Sequence, residues 1–394
     1  MKVGAEVPPP AARMRVFLTS PYSLQRIAGV GRFVEELGTA LSKLGASVFV
    51  ITPKSVEMNT RRAPGAITLR MRVFRNFELT MKTLSLILRY RSTRDILHCQ
   101  HVNSQTFAVC LLGKVLGRPT VLTLHGSSPP AVGILRRAAQ IFFAWASIRL
   151  ASRVVAVSIP TAQSYTGRPI DVVSNGVDTE RYRPVPKVRE LMRRELGLEG
   201  KLVFIFAGRW AFVKGLDLLL EVAASGRLAG RSYHLLVTGE SAVDEPDFME
   251  RSLRKNPKSS NVSIIGRVDE LPPLLNAADV FVLPSRGHEG LSLGLLEALS
   301  TGLPALVSDL PVHRALIEEV GCGWTFRAGD LDAMESAMSA IIAEGIPPDW
   351  PSRARSMVLE RYTLKSTAEQ YLAMYHELLD PHKNLGLCAS QMKV

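Results

Sequence analysis

Short apolar runs alternate with amphipathic helical stretches from Arg13 to Glu344, and this alternation constrains the fold more than any other feature of the 394 residues. Apolar runs of strand length occur at 14–18, 48–52, 96–100, 120–124, 153–157, 171–173, 202–207, 233–237, 262–265, 280–283 and 305–307. Strands that alternate with helices form parallel sheets, because each connection passes over a face of the sheet. The sequence therefore predicts an α/β protein with parallel sheets.

The length of the chain suits two domains rather than one core. The segment 175–186, which contains Pro184 and Pro186, indicates a linker between them. The predicted segments are a first domain over 1–184, a second over 185–365, a last helix over 366–380 and a flexible tail over 381–394. Helices are expected over 29–43 and over 133–150, and the tail 353–379 is expected to be helical.

Charge is distributed unevenly along the chain. Residues 1–184 carry 25 Lys and Arg against 9 Asp and Glu, whereas the remainder carries 23 against 27. No acidic residue lies between Asp95 and Asp171. The first half therefore attracts polyanions or anionic lipid surfaces, and the second half does not. Nucleic acid is not expected as a partner, because the chain has neither a basic recognition helix nor an aromatic RNA-binding strand.

Three features bear on the compartment of the protein. The four cysteines have neither metal-ligand spacing nor the density of a disulfide scaffold, so buried thiols in a reducing compartment are expected. The first 13 residues lack the apolar core of a secretory signal. The apolar stretch 133–150 is interrupted by Arg136, Arg137 and Arg149 and is too short to span a bilayer.

Two glutamates, Glu289 and Glu297, follow the apolar strand 280–283. Glu289 falls on the strand-to-helix loop, and Glu297 falls inside the helix that begins near Ser292 and Leu293. Open α/β sheets bind ligands beyond the carboxyl ends of their strands, and a helix start offers free N–H groups to a phosphate. Two acceptors for hydroxyls beside a cradle for phosphate predict a nucleotide-sugar site.

Two cations, Arg209 and Lys214, follow the strand 202–207 at its carboxyl end. The positive end of the helix dipole normally favours acidic over basic residues at a helix start, so a lysine there is unusual unless it binds an anion. Together they could neutralise a diphosphate that takes up charge as a sugar–phosphate bond breaks. The alternative is a pair of solvated charges.

The first half contributes a histidine and two glycines at strand ends. His125 follows the strand 120–124 and precedes Gly126, which places it at the carboxyl edge of the first sheet. Gly29 and Gly31 lie where the first strand turns into the first helix, and a residue without a side chain permits close approach of a ligand to the backbone. A structural histidine is the alternative for His125. A dinucleotide site is not expected here, because Val34 occupies the third glycine position of that motif.

In chain order, these features resemble family 4 of the retaining glycosyltransferases, which have the GT-B fold. The matching segments are 27–37, 123–126, 154–158, 174–178, 207–209 with 214–217, and 285–297. They extend over nearly the whole chain. The resemblance implies two Rossmann-like domains facing across a cleft, with the last helix crossing back to the first domain.

The resemblance also implies a role for each site residue. Arg209 and Lys214 would stabilise the leaving diphosphate, and His125 would contact the donor sugar or that phosphate. Glu289 would face hydroxyls of the transferred sugar. The remaining implied donor-binding residues are Gly29 and Gly31 at the diphosphate, Arg267 and Val268 at the nucleobase, Ser292 and Leu293 at the helix start, and Glu297 at the ribose hydroxyls.

The implied reaction transfers a sugar to a hydroxyl with retained anomeric configuration and without a covalent enzyme intermediate. The nucleotide-sugar is then a substrate, and no cofactor is expected. Asp330 and Asp332 imitate the metal-binding motif of another glycosyltransferase class, but they lie at a helix start where acids act as caps. No metal is therefore expected at the catalytic centre.

Two other functions fit parts of the pattern. A UDP-N-acetylglucosamine 2-epimerase shares the two-domain fold, but the pair Arg209 and Lys214 disfavours it. A catalytically inactive subunit that binds a glycan is disfavoured by the complete set of site residues.

A basic segment of the first half suggests where the acceptor lies. Between Lys54 and Arg94 there are ten basic residues against Glu57 and Glu78, interleaved with apolar residues. Such a segment gains about 1 kcal/mol for each basic residue near an acidic lipid surface. We therefore expect a lipid-linked or oligosaccharide acceptor. We also expect a cytoplasmic protein that binds peripherally to the inner face of the cell membrane. The alternative to a membrane contact is a basic patch that binds an anionic soluble glycan.

Overall fold

The architecture is given by a computed structural model. It describes residues 14–20, 29–51, 67–69, 81, 85, 95–126, 133–165, 167–226, 228, 230–242, 245–256, 259–287 and 289–380. Most of the basic segment 54–94, on which the membrane prediction rests, lies outside the described residues. None of the described helices combines the length and the apolar character that a bilayer crossing requires.

The first half is built on a seven-stranded parallel sheet with the order β3-β2-β1-β4-β5-β6-β7. Its strands are β1 (Arg15–Thr19), β2 (Ser47–Ile51), β3 (Ile67–Leu69), β4 (Asp95–Cys99), β5 (Thr120–Leu124), β6 (Arg153–Ala156) and β7 (Asp171–Val172). Its helices are α1 (Gly29–Lys43), α2 (Ser104–Val115), α3 (Ile134–Leu150) and α4 (Ile159–Gln163). The strand order reverses between β1 and β4, and at such a reversal α/β sheets open a ligand crevice.

Helices cover both faces of this sheet. Phe33, Leu37 and Leu41 of α1 pack on one face, and Cys110 of α2 with Ile148 of α3 packs on the other. The central strand β4 is buried along its whole length, as a strand covered on both faces should be. The thiols of Cys99, Cys110 and Cys322 are free and buried, as expected, and Cys388 lies outside the described residues.

The second half repeats the plan with a six-stranded parallel sheet in the order β10-β9-β8-β11-β12-β13. Its strands are β8 (Leu202–Ala207), β9 (Tyr233–Thr238), β10 (Val262–Gly266), β11 (Val280–Leu283), β12 (Ala305–Ser308) and β13 (Gly323–Phe326). Its helices are α5 (Pro186–Glu195), α6 (Leu216–Ala224), α7 (Phe248–Lys255), α8 (Pro272–Ala277), α9 (Leu293–Ser300), α10 (Pro311–Val320), α11 (Leu331–Glu344) and α12 (Trp350–Arg361). The order reverses again, between β8 and β11.

The last helix, α13 (Leu364–Leu379), belongs to the core of the first half. Tyr371 and Tyr375 are fully buried there. The hydroxyl of Tyr375 lies 2.6 Å from His98 Nδ1, and that of Tyr371 lies 2.9 Å from Thr123 Oγ1. The expected crossing of the last helix back to the first half is therefore confirmed.

The two passages of the chain between the halves run side by side. The N–H of Val177 donates to the carbonyl of Tyr362, and the N–H of Leu364 donates to the carbonyl of Val177, both at 2.9 Å. The hydroxyl of Thr367 donates to the carbonyl of Ser174 at 2.9 Å. The connection between the halves is therefore a pair of hydrogen-bonded segments rather than two independent linkers.

Three elements differ from the sequence prediction. The strands β3 and β13 were not predicted, since both are short edge strands, and β13 is only partly buried. The tail 353–379 is helical as predicted, except that Tyr362 and Thr363 divide it into α12 and α13. The side chain of Thr363 caps the N–H of Ser366, which starts a new helix in a new direction.

Substitution of Gly176 by Ala should destabilise the junction of the two halves. A Cβ atom there would lie 2.5 Å from Thr367 Oγ1 and 2.6 Å from Leu364 Cα and Thr363 O. Overpacking of this kind costs about 1–3 kcal/mol, which thermal unfolding should report as a lower Tm. Gly287→Ala is the control, because its Cβ would meet nothing within 4 Å. Equal Tm values for the two variants would contradict a tightly packed junction.

Candidate active site

The two halves meet main chain to main chain at the carboxyl ends of β5 and β11. A Cβ atom at Gly290 would lie 2.2 Å from the carbonyl oxygen of His125, and one at Gly126 would lie 2.7 Å from the nitrogen of Gly290. Gly126 also has a φ of +124°. Only glycine permits this approach on both sides. The contact brings His125 of the first half beside Glu289 of the second.

Lys214 and Glu289 form an ion pair at this contact. Lys214 Nζ donates to Glu289 Oε1 at 2.6 Å, and the hydroxyl of Ser285 donates to the same oxygen at 2.7 Å. Burial favours the neutral acid, but the positive charge of Lys214 and these hydrogen bonds outweigh it, so the pKa of Glu289 is lowered. The carboxylate is therefore ionised and fixed in orientation.

The backbone around Lys214 is shaped by two neighbouring groups. Lys214 ends a single 3₁₀ turn, and Gly215 follows with a φ of +70°. A Cβ atom at Gly215 would lie 1.9 Å from the carbonyl oxygen of Pro284, so this turn also needs glycine. The Arg286 guanidinium donates to Asp217 at 2.6 and 2.9 Å and to the carbonyl of Phe212 at 2.7 Å. Arg286 therefore ties the Lys214 turn to the loop that carries Glu289.

Glu297 is paired with a residue that the sequence prediction missed. Its Oε1 accepts from the Arg32 guanidinium of α1, so the pair joins the two halves. Glu297 is 1% exposed, and its Oε2 has no hydrogen-bond partner among the described residues. Burial raises the pKa of Glu297, and the charge of Arg32 opposes that rise. A hydrogen bond with the Tyr182 hydroxyl also opposes the rise.

A second acid lies beside this pair. Burial and the charge of Glu297 raise the pKa of Glu36 to about 7, although Arg32 opposes the rise. Glu36 Oε1 has no hydrogen-bond partner within the described part of the chain. Two carboxylates lie near one guanidinium at the junction of the halves, and this makes the cluster sensitive to protonation near neutral pH.

His125 is half-buried and belongs to a polar network inside the first half. Burial lowers its pKa to about 3, so the ring is neutral. Its Nε2 lies 2.8 Å from Gln100 Oε1, which can only accept a hydrogen bond. The Nε2 therefore carries the proton and Nδ1 keeps its lone pair. The amide nitrogen of Gln100 lies 3.0 Å from His98 Nε2, and His98 reaches Tyr375 of α13.

The start of α1 faces the start of α9 across the junction. Gly29 is exposed at the first position of α1, and a Cβ atom there would lie 3.9 Å from the Leu293 side chain. Gly31 is buried. Ser292 caps α9, where its hydroxyl accepts from the N–H of Leu295. Gly29 and Leu293 are therefore brought together, as a shared site requires.

Three predicted residues lie apart from these contacts. Arg209 is exposed just beyond the end of β8, and no hydrogen bond or ion pair joins it to another described residue. Arg267 lies 3.7 Å from Glu240. Val268 packs partly buried against the core of the second half.

The proposed cap at α11 is confirmed. The Asp330 side chain accepts from the N–H of Ala333 at 2.9 Å, and Asp332 lies in the first turn. These acids therefore serve the helix start, as the capping interpretation predicted.

Several contributing residues were not found from the sequence, namely Arg32, Glu36, Gln100, Ser285 and Arg286. Arg32 gives the clearest signal in retrospect, since it directly follows Gly31 at the start of a helix that points at the cleft. Gln100 gives no signal in the sequence, because its contact with His125 depends on the pairing of strands in the sheet.

Comparison with known proteins identifies the family. Residues 27–181 match the model described as Glycosyltransferase Family 4, and residues 201–344 match the one described as Glycosyl transferases group 1. The chain belongs to this family and is a glycosyltransferase.

The relatives cover most of the chain at low identity. UDP-Gal:alpha-D-GlcNAc-diphosphoundecaprenol alpha-1,3-galactosyltransferase of Escherichia coli is 24% identical over 77% of this chain and 82% of its own length. Phosphatidyl-myo-inositol mannosyltransferase of Mycobacterium leprae is 23% identical over 92% of this chain and 96% of its own.

Solved structures share the fold. Sucrose-phosphate synthase of Thermosynechococcus elongatus has a TM-score of 0.78 at 20% identity, over 94% of this chain and all 100% of the other. Anabaena HepE in complex with UDP and glucose has a TM-score of 0.77 at 17% identity, over 92% of this chain and 99% of the other. The two facing Rossmann-like halves are thus a GT-B fold.

Protonation of Glu36 should make the stability of the junction depend on pH. Because its folded pKa of about 7 exceeds the ordinary value of 4.5, the unfolded state releases this proton first, and stability falls as pH rises from about 4.5 to 7. Glu36→Gln should therefore raise the Tm at pH 8, by an equivalent of about 1–3 kcal/mol, and leave it nearly unchanged at pH 5. Glu35→Gln, one position away on α1, is the matched control. Parallel Tm profiles for wild type and Glu36→Gln would contradict this assignment.

Proposed function

We propose that the protein transfers a sugar, with retention, from a nucleotide-sugar donor to a hydroxyl of a lipid-linked or oligosaccharide acceptor. The observation that carries the proposal is the ordered group Lys214, Glu289 and Ser285 at the contact of the two halves, directly beside His125. Fixed charges at a cleft of this kind suit a reaction in which charge moves from a sugar to a phosphate.

In the proposed complex, the donor diphosphate lies among Arg209, Lys214 and the start of α9. Lys214 already has a carboxylate partner, so it can share its three donors between Glu289 and a phosphate. The free N–H groups of the helix start add positive potential. Gly29 and Gly31 line the opposite side of the cleft, where Gly29 faces Leu293.

The nucleoside occupies the second half in this proposal. The unpaired Oε2 of Glu297 supports a contact with ribose hydroxyls, because a buried oxygen without a partner gains from a hydroxyl donor. The backbone at Arg267 and Val268 lines the nucleobase. The relatives' names include UDP-Gal, and one neighbouring structure contains UDP and glucose, which makes UDP the first nucleotide to test.

The transferred sugar lies between His125 and Glu289. Glu289 is ionised and accepts hydrogen bonds from sugar hydroxyls through the oxygen that Lys214 does not hold. Neutral His125 offers its Nδ1 lone pair or the adjacent backbone. The acceptor hydroxyl approaches on the face from which the diphosphate departs, and that phosphate serves as its base, which gives retention.

The acceptor is inferred from the relatives and from charge. The names of two relatives specify lipids, a diphosphoundecaprenol and a phosphatidyl-myo-inositol. The basic first half of this chain suits a lipid-linked acceptor at the cytoplasmic face of an anionic membrane. The membership in a glycosyltransferase family argues against the epimerase alternative.

A thermal-shift screen against UDP, GDP and ADP tests the donor site first, and the nucleotide-sugars of the best nucleotide follow. One nucleotide should raise the Tm clearly above the others. No shift with any of the three would overturn the nucleotide-sugar proposal.

Lys214→Ala should lower kcat by about 100-fold or more, because Lys214 stabilises charge that grows as the diphosphate leaves. The assay is release of the nucleotide diphosphate from the donor found in the screen. Lys187→Ala removes an exposed lysine of α5 and should leave kcat unchanged. A Lys214→Ala enzyme with normal kcat and only a raised KM would limit Lys214 to ground-state binding.

Transfer should survive EDTA, because the proposed site neutralises the diphosphate with Arg209, Lys214 and a helix start rather than with a metal ion. Nucleotide release is measured before and after chelation. Activity that disappears with EDTA and returns with Mn²⁺ or Mg²⁺ would contradict this arrangement.

A further inference from the structure

The outer side of α3 exposes large apolar side chains to solvent. The exposed fractions are 88% for Ile134, 86% for Leu135, 61% for Ile141, 51% for Phe142 and 55% for Trp145. We call these five residues the α3 face. Scattered apolar residues are common on protein surfaces, but a contiguous group of this size indicates an interaction site.

The α3 face is one continuous stripe. At 100° per residue, its five positions fall within an arc of roughly 120° on the helix. Arg149 falls inside the same arc, and its guanidinium lies 4.8 Å from the centre of the Trp145 ring. Arg137 is exposed at the border of the stripe. A stripe of apolar and aromatic residues bordered by arginines is typical of helices that lie in a membrane interface.

The neighbouring helix α2 widens this surface. Leu111 and Val115 are 43% and 74% exposed, and Lys114 between them is exposed as well. The Phe107 ring lies 5.9 Å from that of Phe142, measured between ring centres. Aromatic rings of both helices thus form one cluster under this surface.

The charge of this region is of one sign. The sequence from 96 to 170 contains seven Lys and Arg and no Asp or Glu. An apolar surface within such a region attracts an anionic partner and repels a cationic one.

A second copy of the chain and the segment from Lys54 to Arg94 both fail to meet that requirement. A symmetric dimer through the α3 face would oppose Arg137, Arg149 and Lys114 to the same cations of the partner. The segment from Lys54 to Arg94 is itself basic, with ten cations against two acids. An acidic lipid surface supplies both the apolar phase and the negative charge.

We propose that the α3 face docks the enzyme on an anionic lipid bilayer by inserting its apolar residues below the headgroups. This inference rests on the proposed function, since a lipid-linked acceptor gives the docking its purpose. Only eight residues separate His125 from Ile134, so the bilayer surface lies within about 30 Å of the site. Docking through α3 would therefore hold the site close to the membrane from which a lipid-linked acceptor comes.

Co-sedimentation with vesicles of phosphatidylcholine containing a quarter phosphatidylglycerol tests the proposal against vesicles of phosphatidylcholine alone. The wild type should bind the acidic vesicles, and Ile134→Glu with Leu135→Glu should weaken that binding at least tenfold. Arg149→Gln should weaken it about fivefold, the equivalent of about 1 kcal/mol. Leu191→Glu with Leu359→Glu is the matched control, because both residues are about equally apolar and are exposed in the second half, by 51% and 46%.

Tryptophan fluorescence locates the contact. Lipids brominated along their acyl chains should quench the emission of the bound protein, and Trp145→Phe should remove most of that quenching. Trp210, Trp324 and Trp350 remain as internal references. Quenching that persists in Trp145→Phe would overturn insertion through α3.

Other occupants give different results. Unchanged vesicle binding by the Ile134 and Leu135 double variant, or equal binding to both vesicle types, would overturn the proposal. So would a wild-type dimer in sedimentation velocity that this variant converts to monomer. The nucleotide thermal shift is measured on the same variant and should be retained. Loss of vesicle binding with an intact nucleotide shift thus separates failure of docking from failure of the proposed transferase.

Discussion

A carboxylate that becomes buried must be stabilised by a cation, by hydrogen bonds or by protonation. Glu289 and Glu297 are stabilised in different ways. Glu289 has Lys214 and Ser285 on one oxygen and is held ionised. Glu297 has Arg32 on one oxygen and a hydrogen bond with the Tyr182 hydroxyl, and burial still raises its pKa. The loop, helix and turn around these pairs are arranged so that each buried charge finds its partner across the chain.

Because Lys214 and Arg32 already have acidic partners, binding of a donor would exchange hydrogen-bond partners at these two cations. Lys214 would turn part of its hydrogen bonding from Glu289 to a phosphate, and Glu289 would gain sugar hydroxyls in return. Exchange of this kind avoids much of the desolvation cost of forming a buried ion pair from water. It also couples the halves, since the Arg32 pair that would share Glu297 with a ribose is itself the bridge between α1 and α9.

The sequence predicted most of the fold because apolar runs and helix signals are local. The start and end of α1, the strand β5 and the start of α9 lie where the pattern placed them. The strands β3 and β13 were not predicted, because an edge strand of three or four residues shows little hydrophobic periodicity. The site was predicted to the extent that its residues sit on strand ends. Arg32 and Gln100 were missed because a contact across two halves, or across a sheet, has no counterpart in sequence spacing.

The polar network of the first half connects the site to the architecture. Gln100 fixes the proton on His125, His98 orients Gln100, and Tyr375 of the last helix holds His98. The last helix therefore does more than complete a hydrophobic core: its hydroxyls satisfy buried polar groups that would otherwise be left unpaired at about 1–3 kcal/mol each. Since α13 starts at the hydrogen-bonded junction of the halves and also contacts His98, one helix connects the junction to the network that orients His125.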